Sequence, residues 1–141
     1  MRVRTRAREL ALQFLFQLDF HGRTYLGELE AFLDEELGEH ADAAEAKAYA
    51  RRLVEGVARR REEVDARIVA AATNWDLGRM AGIDRAVLRL GTYELLFADD
   101  VPHRVAINEA IELAKRYSTE KSGAFVNGIL DRVRKDAGVA R

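Results

Sequence analysis

A single proline, at position 102, interrupts 141 residues in which Ala, Leu, Glu and Arg dominate and β-branched side chains are sparse. Proline breaks helix interiors and the four common residues favour them, so helix is the regular structure this chain can adopt almost throughout. Apolar residues then recur at the three-to-four spacing of one helix face. A chain of this length buries roughly 68–70% of its unfolded surface and can hold a core without disulfides or metals. It has no cysteine, which removes disulfides, thiolate ligands and thiol nucleophiles.

The spacing predicts six helices. The first runs from about Arg4 to Asp19, with Ala7, Leu10, Ala11, Phe14 and Leu18 inward, and stops at His21-Gly22-Arg23. The second covers Tyr25 to Leu37, with Leu26, Leu29, Phe32 and Leu33 inward and Gly38 closing it. A long third helix spans Ala43 to Ala72 on Tyr49, Leu53, Val57, Val64 and Ile68. Trp75-Asp76-Leu77-Gly78 reads as a connecting turn whose tryptophan plugs a junction. The fourth helix, Ile83 to Ala98, is apolar on most faces and belongs at the centre of the second half. Val101 precedes Pro102 and resists the helical region, so the chain breaks there. A fifth helix follows from His103 to Tyr117, and Ser118 or Thr119 caps a sixth that runs to about Lys135. Asn127-Gly128 inside that helix costs about 1 kcal/mol at the glycine alone. A close helix approach at Gly128 and a buried bond from Asn127 are the compensations to look for.

Net charge is -1, so a wholly basic coat is excluded and polyanion binding must rest on a patch. Residues 1–20 carry a net +2, residues 21–48 a net -6 and the remainder +3. Arg2, Arg4, Arg6 and Arg8 precede the first acid, Glu9, and lead into Leu10-Ala11-Leu12-Gln13-Phe14-Leu15-Phe16. Guanidinium groups beside aromatic rings are what a single-stranded nucleic acid needs, phosphates on the charges and bases on the rings. In an extended arm the four arginines point one way. In a helix they separate into Arg2/Arg6 and Arg4/Arg8, and the second line continues to Leu12 and Phe16. The bland alternative is a frayed, solvated terminus with Phe16 in the core; an anionic membrane surface or a cleaved basic presequence are others. The start of the sixth helix, with Lys121 and Ser122 beside free N–H groups, is a second place for a phosphate.

Nothing in the sequence supports catalysis or a cofactor. His21, His40 and His103 are isolated, no metal-ligand spacing occurs, and no phosphate-binding glycine loop or nucleophile elbow is present. Glu94 lies on an apolar line with Val87, Leu90 and Ala98, which suits a structural ion pair better than an acid–base role. No apolar run reaches the length that spans a membrane, and the absence of cysteine agrees with a cytoplasmic protein.

Three blocks bear a resemblance to a known family: RTRARELALQFLFQ at 4–17, IDRAVLRLGTYEL at 83–95, and VPHRVAINEAIELAKRYSTEKSGAFVNGILDRV at 101–133. Together they make the chain similar, over nearly its whole length, to the NusB family of bacterial transcription antitermination and termination factors. The resemblance implies an all-α fold of about seven helices in two packed three-helix-bundle halves. These form a single domain over 1–141 with subdomains near 1–74 and 75–141. It implies no catalysis, cofactor or metal. It implies binding to boxA, a single-stranded element of ribosomal RNA leader transcripts, together with ribosomal protein NusE. Other Nus factors and RNA polymerase complete the assembly. Carried over by position, the RNA side comprises Arg4, Arg6, Arg8, Phe16, Tyr117, Ser118, Lys121 and Phe125, with Arg2 added from the arm itself. The NusE side comprises Asp84, Arg85 and Glu109. One position departs from the pattern, since family members often carry an acid where Lys121 stands.

Other classes of function stay open on the sequence. The chain could be a protein-binding adaptor, or a homodimer with only nonspecific RNA affinity. The same fold occurs fused to ribosomal RNA methyltransferases, for which 141 residues leave no room. A DNA regulator would need a polar recognition helix, and the fourth helix is too apolar to enter a groove.

Overall fold

The computed structural model describes residues 2–141. Among them are seven α-helices, two short 3-10 segments and no strand. Residues up to Arg59 form one compact unit and Arg60–Arg141 a second.

The first unit holds α1 (Val3–His21), α2 (Leu29–Leu37) and α3 (Ala43–Arg59). All five residues expected inward on α1 are buried, and Leu12 and Leu15 join them. Gly22 ends α1 at φ 84°, a conformation that costs a residue with a Cβ but not glycine. The second expected helix is shorter than its pattern: Arg23–Glu28 is a 3-10 segment and α2 begins only at Leu29. Its inward residues are Leu29, Leu33 and Leu37, while Leu26 and Phe32 are half-buried. Phe14 gathers the rings, with Tyr25 stacked at 5.1 Å and Phe32 tilted at 5.5 Å.

The acids of α2 are not left as a repelling face. Lys47 of α3 lies 2.8 Å from Glu30 and 2.6 Å from Asp34, and Arg51 adds a two-pronged contact to Glu30. These bonds hold the Glu30 carboxyl down at about 2, chiefly through the Arg51 guanidinium and then the Lys47 ammonium.

The long third helix expected over 43–72 is two helices. Arg60 leaves helical geometry at φ -104°, ψ 19°, and α4 (Arg61–Ala71) starts afresh in the second unit. Val57 and Val64 are seven residues apart in the sequence and both are buried, so the apolar spacing continues across the break and hides it. The charges do mark it: Arg59 sits in the last turn of α3, and Glu62 and Glu63 in the first turn of α4. Each favours the helix end it occupies.

The second unit continues with α5 (Gly82–Phe97), α6 (His103–Tyr117) and α7 (Glu120–Ala137). Helix α5 is central, with Ala86 to Leu95 buried without interruption. It packs on α4, α6 and α7. Gly91 makes this possible: a Cβ there would stand 2.7 Å from Leu130 Cδ1 and 3.4 Å from Ala110 Cβ. Two charged residues are taken into this core. Glu94 is almost wholly buried, and Arg89, only 7% exposed, reaches Asp65 of α4 with bonds of 2.9 and 3.2 Å. The expected compensation at Asn127-Gly128 is absent. Both residues are exposed, and a Cβ on Gly128 would meet nothing within 4 Å.

The far end of α5 is closed by Arg141. Its guanidinium donates to the carbonyls of Glu94, Leu95, Ala98 and Val101 at 2.7–3.2 Å, and its own carbonyl accepts from the backbone N–H of His103 at 2.9 Å. Carbonyls at a helix C-terminus lack intrahelical donors, and a cation there also meets the negative end of the dipole.

Candidate nucleic-acid interface

The helical reading of the arginine arm holds, because α1 begins at Val3. Arg4 and Arg8 therefore share a face and turn onto the Tyr49 ring of α3, at 4.2 and 5.5 Å from its centroid. Arg8 is 3% exposed, so it belongs to the core of the first unit. Its long apolar stem and flat head suit that setting beside an aromatic face. Arg2 is exposed. Arg6 keeps about a third of its side chain in solvent and lies 3.5 Å from Glu9 and 4.0 Å from Glu36. Phe16 is half-buried and meets Phe20 edge-on, with centroids 4.9 Å apart. Phe20 is 73% exposed, so α1 carries a solvent-facing aromatic pair of which only Phe16 was anticipated.

The second unit gathers the other candidates at the start of α7. Thr119 is the N-cap, its hydroxyl accepting from the Ser122 N–H at 3.1 Å. Ser122 is buried, with its hydroxyl 3.2 Å from Asp84 Oδ2, 3.0 Å from Ser118 Oγ and 3.1 Å from Thr119 Oγ1. A hydroxyl has one hydrogen. Ser122 donates it to the carboxylate and accepts from a neighbouring hydroxyl. Ser122 is thus committed internally, joining the start of α7 to the start of α5, and is not the phosphate contact its position suggested. Lys121 beside it is exposed, and Tyr117 and Ser118 are half-buried.

Phe125, one turn further along α7, meets Trp75 edge-on at 5.0 Å and an interplanar angle of 74°. Trp75 is 60% exposed; the expected plug is a surface ring. The two rings line a cleft of about 350 Å³ with Arg79, Met80, Asp84, Lys121 and Ser122. Trp75 and Arg79 were not singled out by periodicity, since neither lies on an amphipathic face. The signal was composition: a tryptophan set among Thr73, Asn74 and Asp76 has polar neighbours on both sides.

Of the positions expected against a partner protein, Arg85 is half-buried, and its Nη1 donates to the carbonyls of Leu77 and Met80 at 3.0 Å each. It thereby fixes the turn that carries Arg79. Glu109 is half-buried on α6. Among the described residues no acid–histidine group could hold a metal ion, and no helix is long and apolar enough to cross a membrane.

The sequence profile of the NusB family matches residues 5–135. The chain belongs to the NusB family. The transcription antitermination protein NusB of Geobacter sulfurreducens is 47% identical over 133 residues, which is 94% of each chain. NusB of T. maritima is 44% identical in a solved structure, with a TM-score of 0.82 over 94% of this chain and 91% of that one. A crystal structure of the antitermination factors NusB and NusE in complex with dsRNA matches at a TM-score of 0.84. It is 31% identical and covers 96% of this chain and 98% of that one. The all-helical fold implied by the three sequence blocks is therefore the fold of the family.

Proposed function

We propose that this chain is an RNA-binding transcription antitermination factor. It binds boxA-type single-stranded RNA of ribosomal RNA leader transcripts together with ribosomal protein NusE, within the Nus complex on RNA polymerase. The observation that carries the reading is full-length similarity to a NusB solved with NusE and RNA. The side chains support it. Arg2, Arg4, Arg6 and Phe16 on the first unit and Tyr117, Ser118, Lys121 and Phe125 on the second are the RNA side, with Arg8 supporting Tyr49 from within. Asp84, Arg85 and Glu109 are the NusE side, and Asp84 Oδ2 also accepts from Ser122 of its own unit. Charged contacts of this kind set register and on-rate more than bulk affinity.

The test is fluorescence anisotropy of a boxA-type RNA and a scrambled control, with and without NusE, at two salt concentrations. Sequence-dependent binding that NusE strengthens supports the proposal. Equal, salt-sensitive binding to both RNAs reduces the protein to a basic surface, and no binding even with NusE refutes it. Lys121 gives a sharper check. Lys121→Asp adds a repulsive charge near the backbone, so affinity should fall and the slope of log K against log salt should flatten by about one. Equal affinity of both forms at low salt would remove Lys121 from the site.

A further inference from the structure

We infer that the cleft between α4 and the ends of α5 and α7 docks one helix of a further partner protein. That helix places a bulky apolar side chain in the cleft and a carboxylate on Arg67. The inference does not depend on RNA binding.

The shape of the cleft is the first argument. It measures about 490 Å³, and Ala66 of α4, Leu96 and Phe97 of α5 and Val139 beyond α7 give it an apolar lining. Its walls are fixed. Gly138 ends α7 in the left-handed conformation at φ 69°, and Arg134 donates to the Val139 carbonyl at 3.3 Å. Two residues further on, Arg141 ties the same segment to the carbonyls of Leu95 and Ala98. A hollow that is already formed costs little ordering when a side chain enters it.

The charge on the rim is the second. Glu63 and Arg67 both line the cleft and stand four residues apart on α4, the spacing of an ordinary helical ion pair. Arg60 prevents that pair. Its guanidinium lies 4.8 Å from the centroid of the Phe97 ring and donates to Glu63 at 3.1 Å. Arg67 is exposed and has no acid among the described residues. The other arginines of α4 and α7, Arg61, Arg132 and Arg134, each meet an aspartate. One unpaired guanidinium beside an apolar hollow complements a guest with one carboxylate next to an apolar group. A phosphate backbone is the wrong guest, because it brings a charge at every nucleotide and the exposed Glu62 and Glu63 repel those beyond the first.

The backbone is the third. The carbonyls of Glu94, Leu95 and Ala98 at the end of α5, and of Arg134 and Lys135 at the end of α7, are already bonded within the chain. An extended segment binds through its backbone and finds few partners there, whereas a helix satisfies its own and offers side chains alone. Residues four apart share a helix face, so an apolar residue and an acid at that spacing reach the hollow and Arg67 together. Phe97 follows Asp84 on α5 by about 20 Å of helix, so this surface can be filled while the expected RNA and NusE sides are occupied.

The probe is a peptide of about 20 residues, long enough to be helical alone. It is built on Ala and Gln, with one Leu and, four positions later, one Glu. Amide shifts of the full chain are followed by heteronuclear NMR. Saturable shifts are expected at Ala66, Arg67, Phe97 and Val139. A version with Gln in place of the Glu should bind about fivefold more weakly, the upper worth of an exposed ion pair. Arg67→Gln should make the two peptides equal. Ala66→Met keeps a good helix former at an exposed position, and by filling the hollow it should abolish the shifts from both. Absence of shifts at those amides, or a preference that survives Arg67→Gln, overturns the inference. Oligouridylate that moves the same amides, or RNA affinity lost in Arg67→Gln, overturns it in favour of an RNA path. Binding of 4-phenylbutyrate without binding of the peptide overturns it in favour of a small carboxylate.

Discussion

Gly91 and Gly128 both lie in the middle of helices, and the same substitution should act on them with opposite sign. Alanine gains about 1 kcal/mol over glycine in a helix interior, mostly by restricting the unfolded chain, and that gain applies equally at both positions. What differs is the native state. At Gly128 the new methyl enters open space, so Gly128→Ala should stabilise by about 0.5–1 kcal/mol. At Gly91 it would stand 2.7 Å from Leu130 Cδ1 and 3.3 Å from Cδ2. Leu130 is fully buried and Ala110, on the other side, is 3% exposed, so neither can withdraw into solvent. Overpacking of this kind costs about 1–3 kcal/mol. Subtracting the helix gain leaves Gly91→Ala destabilised by about 1 kcal/mol. Against Gly128→Ala the two variants should then differ by about 2 kcal/mol, or roughly 4–8 °C in Tm for a chain near this size. Urea unfolding followed by circular dichroism measures it. A Gly91→Ala protein as stable as Gly128→Ala would refute the close approach of α5 to α6 and α7.

Arg141→Ala removes donors from four carbonyls at the end of α5. It should lower stability by about 2 kcal/mol, the worth of bonds to a charged group; an unchanged Tm would mean those carbonyls are served as well by water. Thr119→Ala deletes the α7 cap and should cost about 1 kcal/mol, visible in the same unfolding experiment. The Glu30 carboxyl is lowered from 4.5 to about 2 on folding. A depressed folded value stabilises above the unfolded one, so this contribution is present above pH 4.5 and lost as pH falls toward 2. In Glu30→Gln that part of the acid slope should vanish, and the difference should shrink with added salt, since the group is exposed. Parallel pH profiles for the two proteins would show that the Lys47 and Arg51 contacts do not persist in solution.

The helices were legible where burial and period coincide. Ala7, Leu10, Ala11, Phe14 and Leu18, and likewise Tyr49, Leu53, Val57, Val64 and Ile68, are all buried as their spacing requires. His103–Tyr117 and the Thr119 cap were legible because proline and a short hydroxyl are strong local signals. The break at Arg60 was not, since the seven-residue interval from Val57 to Val64 continues the apolar spacing of the sequence across it. The second helix lost its first turn to a 3-10 segment for a related reason: Leu26 fits the stripe, and the stripe alone does not fix dihedral angles.

Charge was the least legible property, because a sequence counts charges and a fold pairs them. The segment 21–48 reads as strongly acidic, yet Glu30 and Asp34 meet Lys47 and Arg51. The arm reads as four equivalent arginines, yet Arg8 is buried beside Tyr49 while Arg2 is exposed. Among the expected RNA residues, pairing and burial therefore rank the cations, with Arg2 and Lys121 the most available and Arg8 the least. Salt dependence is set by that ranking and not by the count. Arg2→Ala should lower the salt slope by about one, as each phosphate contact contributes about one counterion. Arg8→Ala should instead lower stability through lost packing against Tyr49, with the slope unchanged. A slope that drops in Arg8→Ala at full stability would mean that the arginine leaves the core to meet RNA, and that α1 rearranges on binding.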